Sequence, residues 1–153
     1  MKNLLDSSGY KKIIQRISSL QTDNKRRWGK MNIEQMLAHC TDQIRLALGE
    51  KEATEKAGWF KHYVTLPIGL ILPRLPRLKF RAPRDMNSAI GEGTKPTTLE
   101  NDRRLLVEAI KRYHNTPTDF HPQPHPTFGV MNRKQWGKFM YLHIDHHLRQ
   151  FSA

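Results

Sequence analysis

The stretch Met131 to Phe151, MNRKQWGKFMYLHIDHHLRQF, restricts the possible folds more than any other part of the chain. Asn132 followed three positions later by Gln135 resembles a capping box, which predicts a helix starting there and running almost to Phe151. At about 100° per residue, with His143 as zero, His147 falls roughly at +40°, Trp136 at +20°, Met140 at +60° and Gln150 at −20°. Lys134, Lys138, Asp145 and Arg149 fall at roughly 180 to 240°, a solvent stripe, with apolar or aromatic side chains over most of the remaining circumference. Two histidines therefore face inward. Imidazoles at i and i+4 reach one divalent metal, a spacing found in helical zinc sites.

Inward histidines are also common as hydrogen-bonded core residues, so spacing alone leaves that reading open. The motif is not the HExxH of zinc peptidases, because Ile144 follows His143 and Asp145 lies near +200°, directed to water. His146, near −60°, borders the site. Trp136 is expected as an apolar wall and Gln150 as a polar partner to the ligands. Neutral imidazole binds metal, so affinity is expected to fall as pH drops through about 6.5.

The rest of the chain supplies further helices. Tyr10, Ile13, Ile14, Ile17 and Leu20 form an apolar stripe on a first helix, about Ser8 to Leu20. Asn32 and Gln35 repeat the Asn-x-x-Gln start, opening a second helix that continues to about Leu48, where Gly49 stops it. Its apolar face carries Ile33, Met36, Leu37, Cys40, Ile44 and Ala47. His39 lies at the margin of that face, and Gln43, one turn on, is placed to bond an imidazole or a bound ligand. Cys40 is displaced by about 100° and reads as an ordinary buried thiol. Thr97 and Glu100 predict a capping box for a third helix to about His114, with Leu105, Leu106, Ala109, Ile110 and Tyr113 as its core stripe.

Two connections stand apart. Residues 51–96 are rich in Pro and Gly, with an apolar portion from Trp59 to Leu78 that would pack over the helices or cover a partner subunit, as in a homodimer. A connection this long can run between parallel second and third helices. It also holds Arg74, Arg77, Lys79, Arg81 and Arg84, which form either a solvated loop or an anion-binding cluster near the metal. The second connection, Asn115 to Val130, has three X-Pro bonds within His121 to Pro126 and reads as a stiff connector. His121 and His125 precede prolines there and are expected at the surface or in a lid rather than as ligands, with His125 also a candidate for the pocket around the metal.

Size and charge limit the function. A chain of 153 residues suits a single domain, 1–153, with its own core. One cysteine cannot form an internal disulfide, and neither a signal-type apolar run nor a membrane span is present, which leads to the expectation of a cytoplasmic protein. A net charge of +12 invites a nucleic-acid reading. The basic residues are nevertheless spread along the chain without an established nucleic-acid motif. No serine-histidine-acid set or phosphate-cradling glycine loop offers competing chemistry.

His39, the segment His125 to Gly129 (HPTFG), Gln135-Trp136 and the string His143 to Gln150 resemble the DinB-like superfamily, most closely a branch of unknown function. That resemblance implies an all-α four-helix bundle, often up-down-down-up, with a long crossover between helices 2 and 3. It also implies a divalent metal held by His39, His143 and His147. Zinc is the expected ion, with nickel, iron or manganese compatible with the same ligands. Characterised relatives include thiol-dependent transferases and isomerases. The implied function is therefore a metal-dependent transferase or hydrolase acting on a small molecule, with a low-molecular-weight thiol as a candidate cofactor. The competing class is a non-catalytic basic module that contacts nucleic acid or another acidic partner.

Overall fold

A computed structural model describes residues 2–52 and 93–153. Four helices occur among them: α1 (Ser7–Ser18), α2 (Ile33–Ala47), α3 (Leu99–His114) and α4 (Arg133–Gln150). No strand is present among the described residues, only an isolated bridge between His125 and Gly129. The fold is all-α. The crossover expected between helices 2 and 3 and the cluster Arg74, Arg77, Lys79, Arg81 and Arg84 fall outside the described residues.

The two Asn-x-x-Gln starts form complete capping boxes. Asn32 Oδ1 accepts from the Gln35 N–H at 2.7 Å while Gln35 Oε1 accepts from the Asn32 N–H at 2.9 Å. At Asn132 and Gln135 both bonds are 2.9 Å. These boxes satisfy N–H groups that the first helical turn leaves without partners. The third helix departs from expectation. Asp102 is buried and accepts from both the N–H and the hydroxyl of Thr97 at 2.9 Å. Thr98 takes the cap instead, accepting from the Asn101 N–H at 3.2 Å.

Ile13, Ile17 and Leu20 meet Met36, Leu37, Cys40 and Ile44 in one apolar core with Leu106, Ile110 and Tyr113. The expected stripe on α3 holds except at Leu105, which is exposed. Leu106, Ala109, Ile110 and Tyr113 already complete the i, i+3, i+4, i+7 face, and Leu105 lies about 100° from Leu106 on that wheel. The chain start adds a piece that periodicity does not announce. Leu4 is fully buried, and its N–H donates to the Gly137 carbonyl at 3.2 Å. A Cβ on Gly137 would stand 2.3 Å from Asn3 Oδ1, so only glycine lets this segment lie against α4.

Helix α4 is covered on more sides than its charges suggest. Asp145 does not point to water: its carboxylate pairs with Arg16 of α1 at 2.6 Å and with Arg149 at 3.1 Å. Of the supposed solvent stripe only Lys134 is exposed. A second buried acid, Asp42 on α2, accepts from Lys51 Nζ and the Thr94 N–H, both at 2.9 Å, and from Thr94 Oγ1 at 2.5 Å. It thereby ties together the chain on either side of residues 53–92. None of the described helices is long and apolar enough to cross a membrane.

Candidate metal centre

The α2 cap and register turn His39 inward, and α4 presents His143 and His147 one turn apart toward it. His39 and His147 are buried and His143 is half-buried. His39 is therefore not at a margin, because nearly the whole of α2 is enclosed. The three rings stand almost perpendicular to one another, with interplanar angles of 72°, 76° and 81° and centroids 4.6 to 5.0 Å apart. Their edges converge. His143 Nε2 lies 3.1 Å from Nε2 of His39 and 3.1 Å from Nε2 of His147. One ligand atom from each residue lies within 4.8 Å of the other two.

Protonation favours ligation. His147 Nδ1 is 2.8 Å from Gln150 Oε1, so the ring donates Nδ1–H and its Nε2 lone pair faces the centre. Burial, then the charge that a protonated His39 would carry, lowers the His147 pKa to about 3 against a weaker opposing contribution from Gln150. Burial and the neighbouring histidines push His143 in the same direction. The sequence-based expectation that protons compete with metal near pH 6.5 is thus displaced downward for these rings.

The donor set fits a divalent cation. Two imidazole nitrogens bound to one tetrahedral zinc stand about 3.3 Å apart, close to the observed 3.1 Å pairs. A single proton on His143 Nε2 would have to serve both neighbours, whereas a cation accepts all three lone pairs at once. No carboxylate joins the cluster among the described residues, and three histidines could hold a metal ion here.

The other candidate residues take separate places. Gln150 is buried, and its Oε1 lies 2.8 Å from His147 Nδ1. Gln43 is buried one turn after His39, and its amide nitrogen has no hydrogen-bond partner among the described residues. His146 packs edge-on against His147 at 5.3 Å and faces Trp28 at 6.3 Å, outside the cluster. Trp136 lies one layer back. Its Nε1–H donates to the Gln123 carbonyl at 3.0 Å and its ring meets His125 and Phe139. Cys40 faces Met36 Sδ at 3.9 Å, and burial pushes its thiol pKa up, so it is the inert thiol expected.

The surface position expected from the His-Pro pairs holds for His121 and not for His125. His121 is exposed, but His125 is buried, and its Nδ1 accepts from the N–H groups of Thr127 and Phe128 at 3.0 and 3.1 Å. A histidine that closes its own turn need not stay at the surface. Sequence reading also passed over Phe139, stacked on His143 at 5.5 Å and 11°. Its position, about −40° from His143 on the helical wheel, was the available signal.

Fold and site together define a helical protein with a three-histidine cluster able to hold a metal ion. The chain belongs to the family described as Protein of unknown function (DUF1569), which matches residues 2–153. No curated protein and no solved structure matches it.

Proposed function

We propose that this protein is a DinB-like, metal-dependent transferase or hydrolase acting on a small molecule through a divalent ion held by His39, His143 and His147. The observation that carries this reading is the convergence of three imidazole edges at one buried point. Three protein ligands leave coordination positions for water or substrate, as in catalytic zinc sites. Such an ion, zinc foremost, would lower the pKa of a bound water or thiol toward the neutral range.

The chain's own groups support a small polar substrate. Gln43 offers a buried amide donor suited to a carbonyl or carboxylate oxygen. The net charge of +12 suits an anionic substrate or thiol cofactor. The same charge supports the second reading, a basic binding module contacting nucleic acid.

Elemental analysis of protein purified without chelator separates the two. About one divalent ion per chain is expected. His143→Ala combined with His147→Ala should abolish it. Full metal content in that folded double variant overturns the triad. A metal-free wild type that binds duplex with a steep salt dependence favours the basic module. Screening of metal-loaded protein with low-molecular-weight thiols then tests for transferase activity.

A further inference from the structure

His147 and His143 belong to one helix, yet their rings are held differently. His147 is fixed by the hydrogen bond to Gln150. His143 Nδ1 is buried and has no hydrogen-bond partner among the described residues, so no hydrogen bond of that nitrogen within them sets the ring plane. What lies against the ring is Phe139, nearly parallel to it at 5.5 Å. A metal ligand whose plane is free to tilt directs its lone pair poorly, and bound histidines usually have a partner that prevents this.

Phe139 is itself braced. His125 meets it edge-to-face at 5.0 Å and 77°, Phe128 at 5.2 Å and 74°, and Trp136 at 5.8 Å and 72°. Of these three rings, His125 is held by its own turn. The bridge between His125 and Gly129 has N–H to O distances of 2.8 and 2.7 Å, and Nδ1 closes the turn through two further backbone bonds. An Nδ1 that accepts twice cannot carry the ring proton, so His125 is the Nε2–H tautomer. Its orientation is set by the turn and transmitted through ring contacts.

We propose that His125 is a positioning residue for the metal centre: the turn at 125–129 holds its ring against Phe139, and Phe139 fixes the plane of His143. This rests on the proposed metal reading, and it predicts that loss of the His125 ring and loss of the Phe139 ring damage the centre in the same way.

The test uses full-length protein. His125→Asn keeps a side-chain oxygen able to accept the two turn N–H bonds while removing the ring, and Phe139→Leu keeps apolar bulk while removing the flat face. Each should weaken cobalt(II) affinity by about tenfold and change the cobalt d–d absorption spectrum. The double variant should be no worse than Phe139→Leu alone, because both act along one line of contact. Additive losses, or His125→Asn with wild-type cobalt affinity and spectrum, would overturn the proposal.

Nitrogen NMR of metal-free wild type supplies a check that needs no variant: His125 protonated on Nδ1 sinks the idea. If wild type takes up no cobalt, the metal reading fails by itself. The brace is then judged on the His143 ring signals of the metal-free protein. A single sharp set in wild type that doubles or broadens in His125→Asn supports it, and unchanged signals refute it.

Discussion

Two connections, the one before α2 and the one before α4, reach the two histidines of α4 by different physics. In the first, the Arg27 N–H donates to the Gln150 carbonyl at 2.7 Å, and the Gln150 side chain accepts from His147. In the second, the turn at 125–129 bears on Phe139, and Phe139 lies against His143. A hydrogen bond specifies both the tautomer and the direction of a ring. A stack specifies only the plane, through contacts individually worth about 0.5–1.5 kcal/mol. The two proposed ligands should therefore fail differently when their supports are removed.

The largest expected difference is at Gln150. Gln150→Ala leaves His147 free to place its proton on either nitrogen, and metal affinity should fall about 10–100-fold. Folding stability should fall less, because the backbone bond from Arg27 remains. Metal titration and chemical denaturation on the same samples check this. Equal loss of stability with unchanged affinity would return Gln150 to the role of a core residue.

The stacked side should add an acid sensitivity of its own, beside that of buried His147. Burial lowers the His125 pKa to about 3, against 6.5 for a free imidazole. Between those values the unfolded chain binds a proton that the folded chain refuses, so stability is complete above about pH 6.5 and declines as pH falls toward about 3. The contribution approaches about 1.4 kcal/mol per pH unit within that window. Protonation of Nδ1 would also break both turn bonds and release the brace on Phe139. Denaturation of metal-free wild type and His125→Asn at pH 7, 6 and 5 should give a shallower dependence in the variant. Identical slopes would place the acid sensitivity elsewhere.

These supports were unequally legible in the sequence. The helices were readable because apolar spacing and Asn-x-x-Gln caps are local signals, and both capping boxes form as read. His143, His147 and Gln150 share a face through helical periodicity alone. His39 joined them only through family resemblance, since a lone histidine on a second helix carries no register to a fourth. The burial of His125 was hidden for another reason. His-Pro reads as an extended surface dipeptide, and nothing in that rule registers a side chain closing its own turn. Buried Asp42 and Asp102 were missed and half-buried Asp145 was misread, because the partner that draws a carboxylate inward need not be local: Thr94, Thr97 and Arg16 respectively. Thr97 is close enough in sequence to have been found.

The smallest predicted effect sharpens the comparison most, because it separates backbone strain from loss of ligand support. Gly29 has φ +90°, and a Cβ there would stand 2.8 Å from Gln150 Nε2. Gly49 has φ +77°, with its nearest neighbour, Gln123 Cγ, at 3.5 Å. Alanine at either position must adopt a left-handed backbone, costing about 1 kcal/mol. Only at Gly29 must the Gln150 amide also move, and that movement disturbs the oxygen that fixes the His147 tautomer. Gly29→Ala and Gly49→Ala should therefore lose similar stability, while only Gly29→Ala weakens metal binding, by about threefold to tenfold, at the low end for loss of a ligand's supporting bond. Calorimetric titration of both variants with zinc decides it. Equal affinities would mean that the Gln150 amide shifts without disturbing His147, and that the hydrogen-bonded side of the site tolerates more than its geometry implies.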